Sequence, residues 1–321
     1  MRIVILDGYT LNPGDLSWDE LKAFGDLIVY DSTPHDMILE RSQGAQVLIA
    51  NKTPLSAGTL AALPDVRCIC VLATGYDVID IAAARDRQIP VCNTPAYGMD
   101  SVAQHVFALL LELCRGVARH DASIRDGEWE RRQEFCYWLS PQVELTGKIM
   151  GIAGFGNNGR RVGELAHAFG MEVLAYELKP DAPAPAYAPF AFVGLDELFA
   201  RSHVLSLHCP LTDATRAMVN AQRLASMQKG ALIINTGRGP LLDEAAVAEA
   251  LYSGQLGGLG TDVLAVEPPT ADNPLLKTPN TYITPHIAWA SLRARRNIIS
   301  ITAANLRAFV DGKPQNVVNP A

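Results

Sequence analysis

The sequence predicts an α/β protein built as two doubly wound parallel-sheet domains, and three observations predict it. Short apolar runs bounded by turn residues recur along the chain with helix-length segments between them, the pattern of strands buried on both faces. Those runs fall into two series, one in the first hundred residues and one after residue 147. The length of 321 residues corresponds to two domains at roughly 150 residues each.

In chain order, the first series of strands is expected at 2–6 (RIVIL), 27–30, 47–50 (VLIA), 66–72 (VRCICVL) and 89–92. Residues 100–118 then read as a helix N-capped by Asp100. Its apolar residues occupy more than one face, which predicts burial between domains or against a second subunit. A polar and aromatic stretch, 123–142, follows with Trp129, Arg131, Arg132, Phe135, Tyr137 and Trp138. The second series is expected at 148–153, 172–176, 190–193, 203–207, 231–235, 259–263 and 281–284, with helices such as 157–169 and 243–253 between strands. The Pro/Ala segment 180–189 excludes regular helix or strand, and 290–311 reads as a last helix crossing back to the first domain.

Composition narrows the function. Hydrophobic residues are 49% and charged residues 19%, which excludes a long disordered chain. Twenty-seven Lys+Arg against 34 Asp+Glu leave a net charge of −7, arguing against nucleic-acid binding, which needs a basic face. Apolar runs such as Cys68–Ala73 and Val106–Leu111 are far shorter than the ~20 residues of a membrane span. The start, MRIVILDGY, lacks the apolar core and cleavage site of a signal peptide, so a cytoplasmic protein is expected. The six cysteines, Cys68, Cys70, Cys92, Cys114, Cys136 and Cys209, form no C-x-x-C and no metal-ligand spacing with histidine; they are expected to pack as reduced core thiols.

The strongest local motif is Gly154-Phe155-Gly156-Asn157-Asn158-Gly159, directly after the strand at 148–153 and opening a helix. The first glycine permits a tight turn, the second the approach of a pyrophosphate, and the third close helix–strand packing. The helix N-terminus adds N–H donors and positive dipole. Glu177 ends the next strand, where a carboxylate can accept from ribose hydroxyls and repel a 2′-phosphate. That favours NAD over NADP, although Lys179 and Arg160 lie close enough to complicate the charge argument. Asn158 stands where such loops usually carry an apolar residue; Asn157 and Asn158 are expected to cap the helix or bond the pyrophosphate.

Three later strands end by delivering polar residues: ALIINTGRG brings Arg238, GTDVLAVEPP brings Asp262 and Glu267, and TYITPHIAWAS brings His286. Ligands of doubly wound folds bind outside the carboxyl ends of strands, so these deliveries can converge. Arginine offers a planar fork for a carboxylate and a charge to polarise a carbonyl. Histidine exchanges a proton near neutral pH, and a glutamate beside it fixes the tautomer. His105 and His203 read as structural histidines, whereas His208, before Cys209-Pro210 at a strand end, is expected near the cofactor.

Taken together, GIAGFGNNGRRVG, LHCPLT, INTGRGPLLDE, GTDVLAVEPP and TPHIAWAS resemble the D-isomer-specific 2-hydroxyacid dehydrogenase family over nearly the whole chain. LDGYTLNPGDLSW, NKTPLS, VLATGYDVID, SVAQHVFALLLEL and FCYWLSPQVELTGK look like its glycerate dehydrogenase/hydroxypyruvate reductase branch. The resemblance implies a Rossmann NAD-binding domain, 99–286, inserted in a flavodoxin-like substrate domain, 1–98 completed by 287–321. It implies His286 as acid/base, Glu267 as its partner and Arg238 as the substrate-orienting residue. Asp262 is then the residue that holds the nicotinamide carboxamide. His208, Cys209, Pro210 and Thr212 line the cofactor, and Thr236 and Gly237 flank the nicotinamide. The loop Ala73-Thr74-Gly75-Tyr76 offers backbone N–H groups to the substrate carboxylate, and Lys52 faces the same cleft.

The implied reaction is hydride transfer from NADH to hydroxypyruvate, giving D-glycerate. The same chemistry on glyoxylate, pyruvate or phosphohydroxypyruvate is the alternative. The chain ends at Ala321 without an appended regulatory domain, which weighs against a phosphoglycerate dehydrogenase. The rival from another class is an NAD(H)-sensing corepressor-like protein; retention of Arg238, Glu267 and His286 together favours catalysis. No metal is expected. A homodimer through the 100–140 region is expected from the family and from the over-apolar helix, and two domains closing on substrate are expected to hinge near Ala96–Asp100 and Pro285–Ala288.

Overall fold

Every named strand pair in the chain is parallel, as expected where apolar runs are covered by helices on both sides. The computed structural model describes residues 1–178 and 183–320; Lys179 and the first residues of the Pro/Ala segment, 180–182, lie outside the described residues. Two units result: residues 1–98 with 290–321, and residues 99–289.

In the first unit, β1 (Arg2–Ile5), β2 (Asp26–Val29), β3 (Val47–Ala50), β4 (Cys68–Val71) and β5 (Val91–Cys92) form a sheet of order β2-β1-β3-β4-β5, the flavodoxin-like order. All residues of β3 and β4 are buried. Helix Leu292–Val310, capped by the Ser291 side chain on the Ala294 N–H, closes one face with Ile298, Ile299 and Leu306 buried.

The second unit holds β6 (Ile149–Ala153), β7 (Glu172–Tyr176), β8 (Phe190–Phe192), β9 (Val204–Leu207), β10 (Ala231–Asn235), β11 (Leu256–Thr261) and β12 (Thr281–Ile283). Their order is β12-β11-β10-β9-β6-β7-β8. Counted from β6, this is the dinucleotide-binding order with one further edge strand, and it reverses between β6 and β9. Fully buried strands such as ALIIN explain the unbroken apolar runs. The unit extends past residue 286 because the turn after β12 is hydrogen-bonded back to Asp262, at the end of β11.

Three expectations need correction. The helix at 100–118 spans Met99–Arg115, so Asp100 lies in its first turn, ion-paired with Arg161 at 2.8 Å, instead of capping it. Gly116, left-handed at φ 55°, ends it, and a second helix runs over Val117–Arg125. The buried face of the first helix, with Ala103, Val106, Phe107, Leu109 and Leu110, packs into a core shared with Ile152, Val162, Leu232 and Ile234 of its own unit. Cys136 is exposed, unlike the other five cysteines. No single helix among the described residues is long and apolar enough to cross a membrane.

Candidate active site

The glycine loop turns at the end of β6, where Gly154 adopts φ 93°. A Cβ on Gly154 would stand 2.5 Å from the Cys209 amide nitrogen, so the loops after β6 and β9 meet at the sheet's reversal point because this residue has no side chain. Gly159 likewise lies bare against the Gly154 carbonyl. Gly156 differs: a Cβ there would meet nothing within 4 Å, so the second glycine faces open space. It also serves as N-cap of helix Asn157–Ala168 and offers no side chain to the first-turn N–H groups. Asn157 and Asn158 are the first residues of the helix, so of the two expectations for them capping does not hold.

Glu177 reaches back from the end of β7, and its Oε2 accepts the Phe155 N–H at 2.9 Å. Phe155 is buried beneath the loop against Phe190 and Phe192. Thr236, after β10, has a buried hydroxyl with no hydrogen-bond partner, the kind of donor a bound amide or phosphate satisfies. An uncapped helix start, an open second glycine, a carboxylate after the next strand and an orphan hydroxyl together fit a dinucleotide.

Beyond β9, His208 Nε2 bonds Ser206 Oγ at 2.8 Å, and burial pushes the imidazole down to about 4, so it is neutral at pH 7. The Cys209 thiol points to the core, 3.4 Å from Met218 Sδ, and burial pushes it up to about 11; only its backbone stands beside the glycine loop. Thr215 ties this loop by accepting the Thr212 N–H and donating to the Pro210 carbonyl.

The loops after β10, β11 and β12 carry the polar triad. Asn235, fully buried at the end of β10, accepts the Gly237 N–H and donates to the Arg238 carbonyl, a local turn that presents Arg238. At Gly239 a Cβ would fall 2.0 Å from the Leu264 carbonyl carbon, so the Arg238 loop rests directly on the loop leading to Glu267. Glu244 secures that loop, accepting the Ala265 N–H at 2.8 Å and the Asn273 amide at 2.9 Å. Glu267 Oε1 accepts the Leu264 N–H, and its Oε2 lies 2.7 Å from His286 Nδ1. Nδ1 therefore carries a hydrogen toward the carboxylate, and Nε2 remains for proton exchange.

Asp262 is 1% exposed, and its carboxylate accepts Thr284 Oγ1–H at 2.6 Å, the Ile287 N–H at 2.8 Å and the Ala288 N–H at 2.7 Å. It holds the His286 turn, a role that its expected one at the nicotinamide did not include. His286 itself sits at φ 56°, left-handed backbone that is uncommon for any residue but glycine. His203 is structural, with Nδ1 accepting the Ile149 N–H.

In the first unit, Asp7 at the end of β1 accepts the amide N–H groups of Asn51, Lys52 and Thr53, and so shapes the loop bearing Lys52. Thr74 donates to the Thr94 carbonyl, and Asn93 donates to the Thr74 carbonyl, anchoring the loop with Gly75 and Tyr76. Sequence reasoning missed Asp7, Asn235, Glu244 and Thr284. Only Asn235 had a local signal, an asparagine two residues before a glycine.

A parallel order of this kind, with a glycine cradle at its reversal point and a histidine–glutamate pair on a loop beside that of Arg238, fits the class of dinucleotide-dependent dehydrogenases. Residues 107–288 match the family described as D-isomer specific 2-hydroxyacid dehydrogenase, NAD binding domain. The chain is 45% identical over 322 aligned residues to a hydroxypyruvate reductase of Blautia hydrogenotrophica, covering 99% of this chain and 100% of that one. It is 41% identical to a glycerate dehydrogenase of Methylorubrum extorquens, covering 90% of each. Among solved structures, the TT0316 protein of Thermus thermophilus superposes with a TM-score of 0.85 at 34% identity, covering 99% of this chain and 100% of that one. The chain belongs to the D-isomer-specific 2-hydroxyacid dehydrogenase family.

Proposed function

We propose that the protein reduces hydroxypyruvate to D-glycerate with NADH, reversibly. The observation that carries this reading is the 2.7 Å contact of His286 Nδ1 with Glu267, set beside the Arg238 loop in a sheet with a dinucleotide cradle. The identity to relatives named hydroxypyruvate reductase and glycerate dehydrogenase supports the substrate. NAD(H), when bound, supplies or accepts the hydride. The first-turn N–H groups of helix Asn157–Ala168, with Gly154, Gly156 and Gly159, would hold its phosphates, Glu177 its ribose, and Thr236 its nicotinamide end.

This chain's residues do the rest. Protonated His286 gives the Nε2 proton to the ketone oxygen as it becomes a hydroxyl, and takes it back in oxidation. Glu267 keeps the ring oriented, with Nε2 turned to the substrate. Arg238 polarises the carbonyl and pairs with the carboxylate. Thr74, Gly75, Tyr76 and Lys52 are the proposed carboxylate-binding residues of the first unit. Proton transfer of this kind contributes ~10²–10⁴-fold, with positioning supplying much of the remainder.

The protein is further proposed to act in the cytoplasm as a homodimer. The exposure of Phe135 at 88% and Trp138 at 67% in the stretch expected at the subunit contact supports the dimer. The functional test is NADH oxidation, compared with NADPH, over hydroxypyruvate, glyoxylate, pyruvate and phosphohydroxypyruvate. Hydroxypyruvate is expected to rank first by kcat/KM. If another acid ranks first, the substrate assignment falls while the reaction class stands.

A further inference from the structure

The turn that presents His286 is held by a chain of hydrogen bonds, part-buried at His105 and Thr284 and buried at Ala288, that begins outside the three strand ends. On helix Met99–Arg115, His105 Nε2 lies 2.9 Å from Thr284 Oγ1 and 3.6 Å from Asp262 Oδ1. Thr284 donates its only hydroxyl proton to Asp262 Oδ1, at 2.6 Å. Toward His105 the Thr284 oxygen therefore offers lone pairs alone, which requires Nε2 of His105 to carry a hydrogen. Asp262 in turn accepts the N–H groups of Ile287 and Ala288, the two residues after His286. The backbone of His286 is bound from both sides as well. Its N–H reaches the carbonyls of Asp262 and Thr284, and its carbonyl accepts the Trp289 indole N–H at 2.9 Å. Ser101, one helical turn before His105, donates to the Ala288 carbonyl at 2.7 Å.

We propose that His105 is a positioning residue for the reaction: its Nε2–H fixes the Thr284 hydroxyl on Asp262, and Asp262 holds the left-handed His286 turn in place. Histidine suits this task for a geometric reason. The carboxylate is 1% exposed and has two oxygens bearing three donors, so each donor must be aimed without help from water. An apolar residue at 105 frees the Thr284 hydroxyl to rotate and leaves its oxygen without a donor. The His286 turn, which the backbone disfavours on its own, then loses part of what enforces it. This rests on the reading of His286 as the acid/base, and the test is arranged to separate the two.

The experiment compares His105→Leu, His105→Gln, Thr284→Val and the double variant His105→Leu/Thr284→Val, with His286→Asn as reference. Two readouts are taken. One is kcat and KM for hydroxypyruvate at saturating NADH. The other is the rate at which diethyl pyrocarbonate modifies His286 in the NAD-free protein, followed by peptide mass. His105→Leu is expected to lower kcat about tenfold, the rate equivalent of one lost hydrogen bond, with KM changed less than about twofold. Modification of His286 should accelerate at least about threefold as the turn loosens. His105→Gln, whose amide N–H can replace Nε2–H, should recover most of both. The double variant should fall no further than the worse single variant, because both remove the same bond.

Unchanged kcat and modification rate in His105→Leu would overturn the proposal. So would failure of His105→Gln to recover either readout, or full additivity of the two single changes. If His105→Leu does not fold by circular dichroism, Thr284→Val removes the same bond from the other side and decides the matter. Turnover retained by His286→Asn would overturn the acid/base reading, while the modification rates would still report whether His105 holds the turn.

Discussion

Replacing Gly239 by alanine isolates the contact on which the geometry of the triad depends. The added Cβ would lie 2.0 Å from both the carbon and the oxygen of the Leu264 carbonyl and 2.4 Å from the Ala265 nitrogen, all backbone atoms that no rotamer change can remove. Ordinary van der Waals contact begins at 3.4 Å, so the two loops must part by about 1.4 Å, the difference of the two distances. Arg238 adjoins Gly239, and the Leu264 N–H is the donor that holds Glu267 beside His286, so that separation pulls Arg238 away from the pair. A misplacement of about 1 Å at a reacting centre costs on the order of 10²-fold. We expect kcat/KM for hydroxypyruvate to fall at least about 10²-fold, measured by NADH absorbance, with a smaller change in NADH affinity read by nicotinamide fluorescence. The relief of a backbone clash also predicts a lower Tm. A variant within about threefold of the parent in kcat/KM would refute the claim that this contact sets the Arg238–Glu267 geometry.

His286→Asn should lose turnover by ~10²–10⁴-fold while binding NADH nearly as the parent does; measurable activity at the parent level removes the residue from its assigned role. Gly156→Ala meets no protein atom within 4 Å, so its Tm should match the parent, yet NADH binding should weaken at least about tenfold because the methyl enters the space proposed for the pyrophosphate. The neutral His208 makes stability depend on pH in a defined direction. The unfolded chain takes up a proton from about 6.5 downward, whereas the buried imidazole resists until about 4. Stability is therefore full above about pH 6.5 and falls as pH drops toward 4, by up to about 3 kcal/mol from this group. His208→Asn should shrink the difference in urea midpoint between pH 7.5 and 5.0, and an equal difference in both proteins would refute the attribution.

Much of this was legible in the chain because the relevant signals are local. Runs such as VRCICVL and ALIIN announced β4 and β10, since a strand covered on both faces has no need of alternation. The glycine loop was legible because each glycine answers a steric demand within a few residues. What escaped depends on partners far away in sequence. Asp7 looks like any acid at a strand end until residues 51–53 arrive to use it. Asp262 was read as a ligand of the cofactor, yet its carboxylate also anchors amides 25 and 26 positions later. The helix ending at Arg115 was overextended because apolar residues continue past Gly116, and composition cannot show that this glycine turns left-handed. Capping by Asn157 and Asn158, one of the two roles their residue type suggests, does not occur because the preceding glycine holds that position.

The left-handed backbone at His286 has a consequence for anyone who would redesign this protein for robustness. Glycine occupies that conformation without steric cost, so His286→Gly relieves the backbone while losing the 2.7 Å bond to Glu267. A procedure that ranks substitutions by backbone strain alone would therefore discard the residue proposed as the acid/base. The imidazole at 286 is carried on backbone that glycine would adopt more easily, and the proton exchange proposed for it is what glycine could not supply.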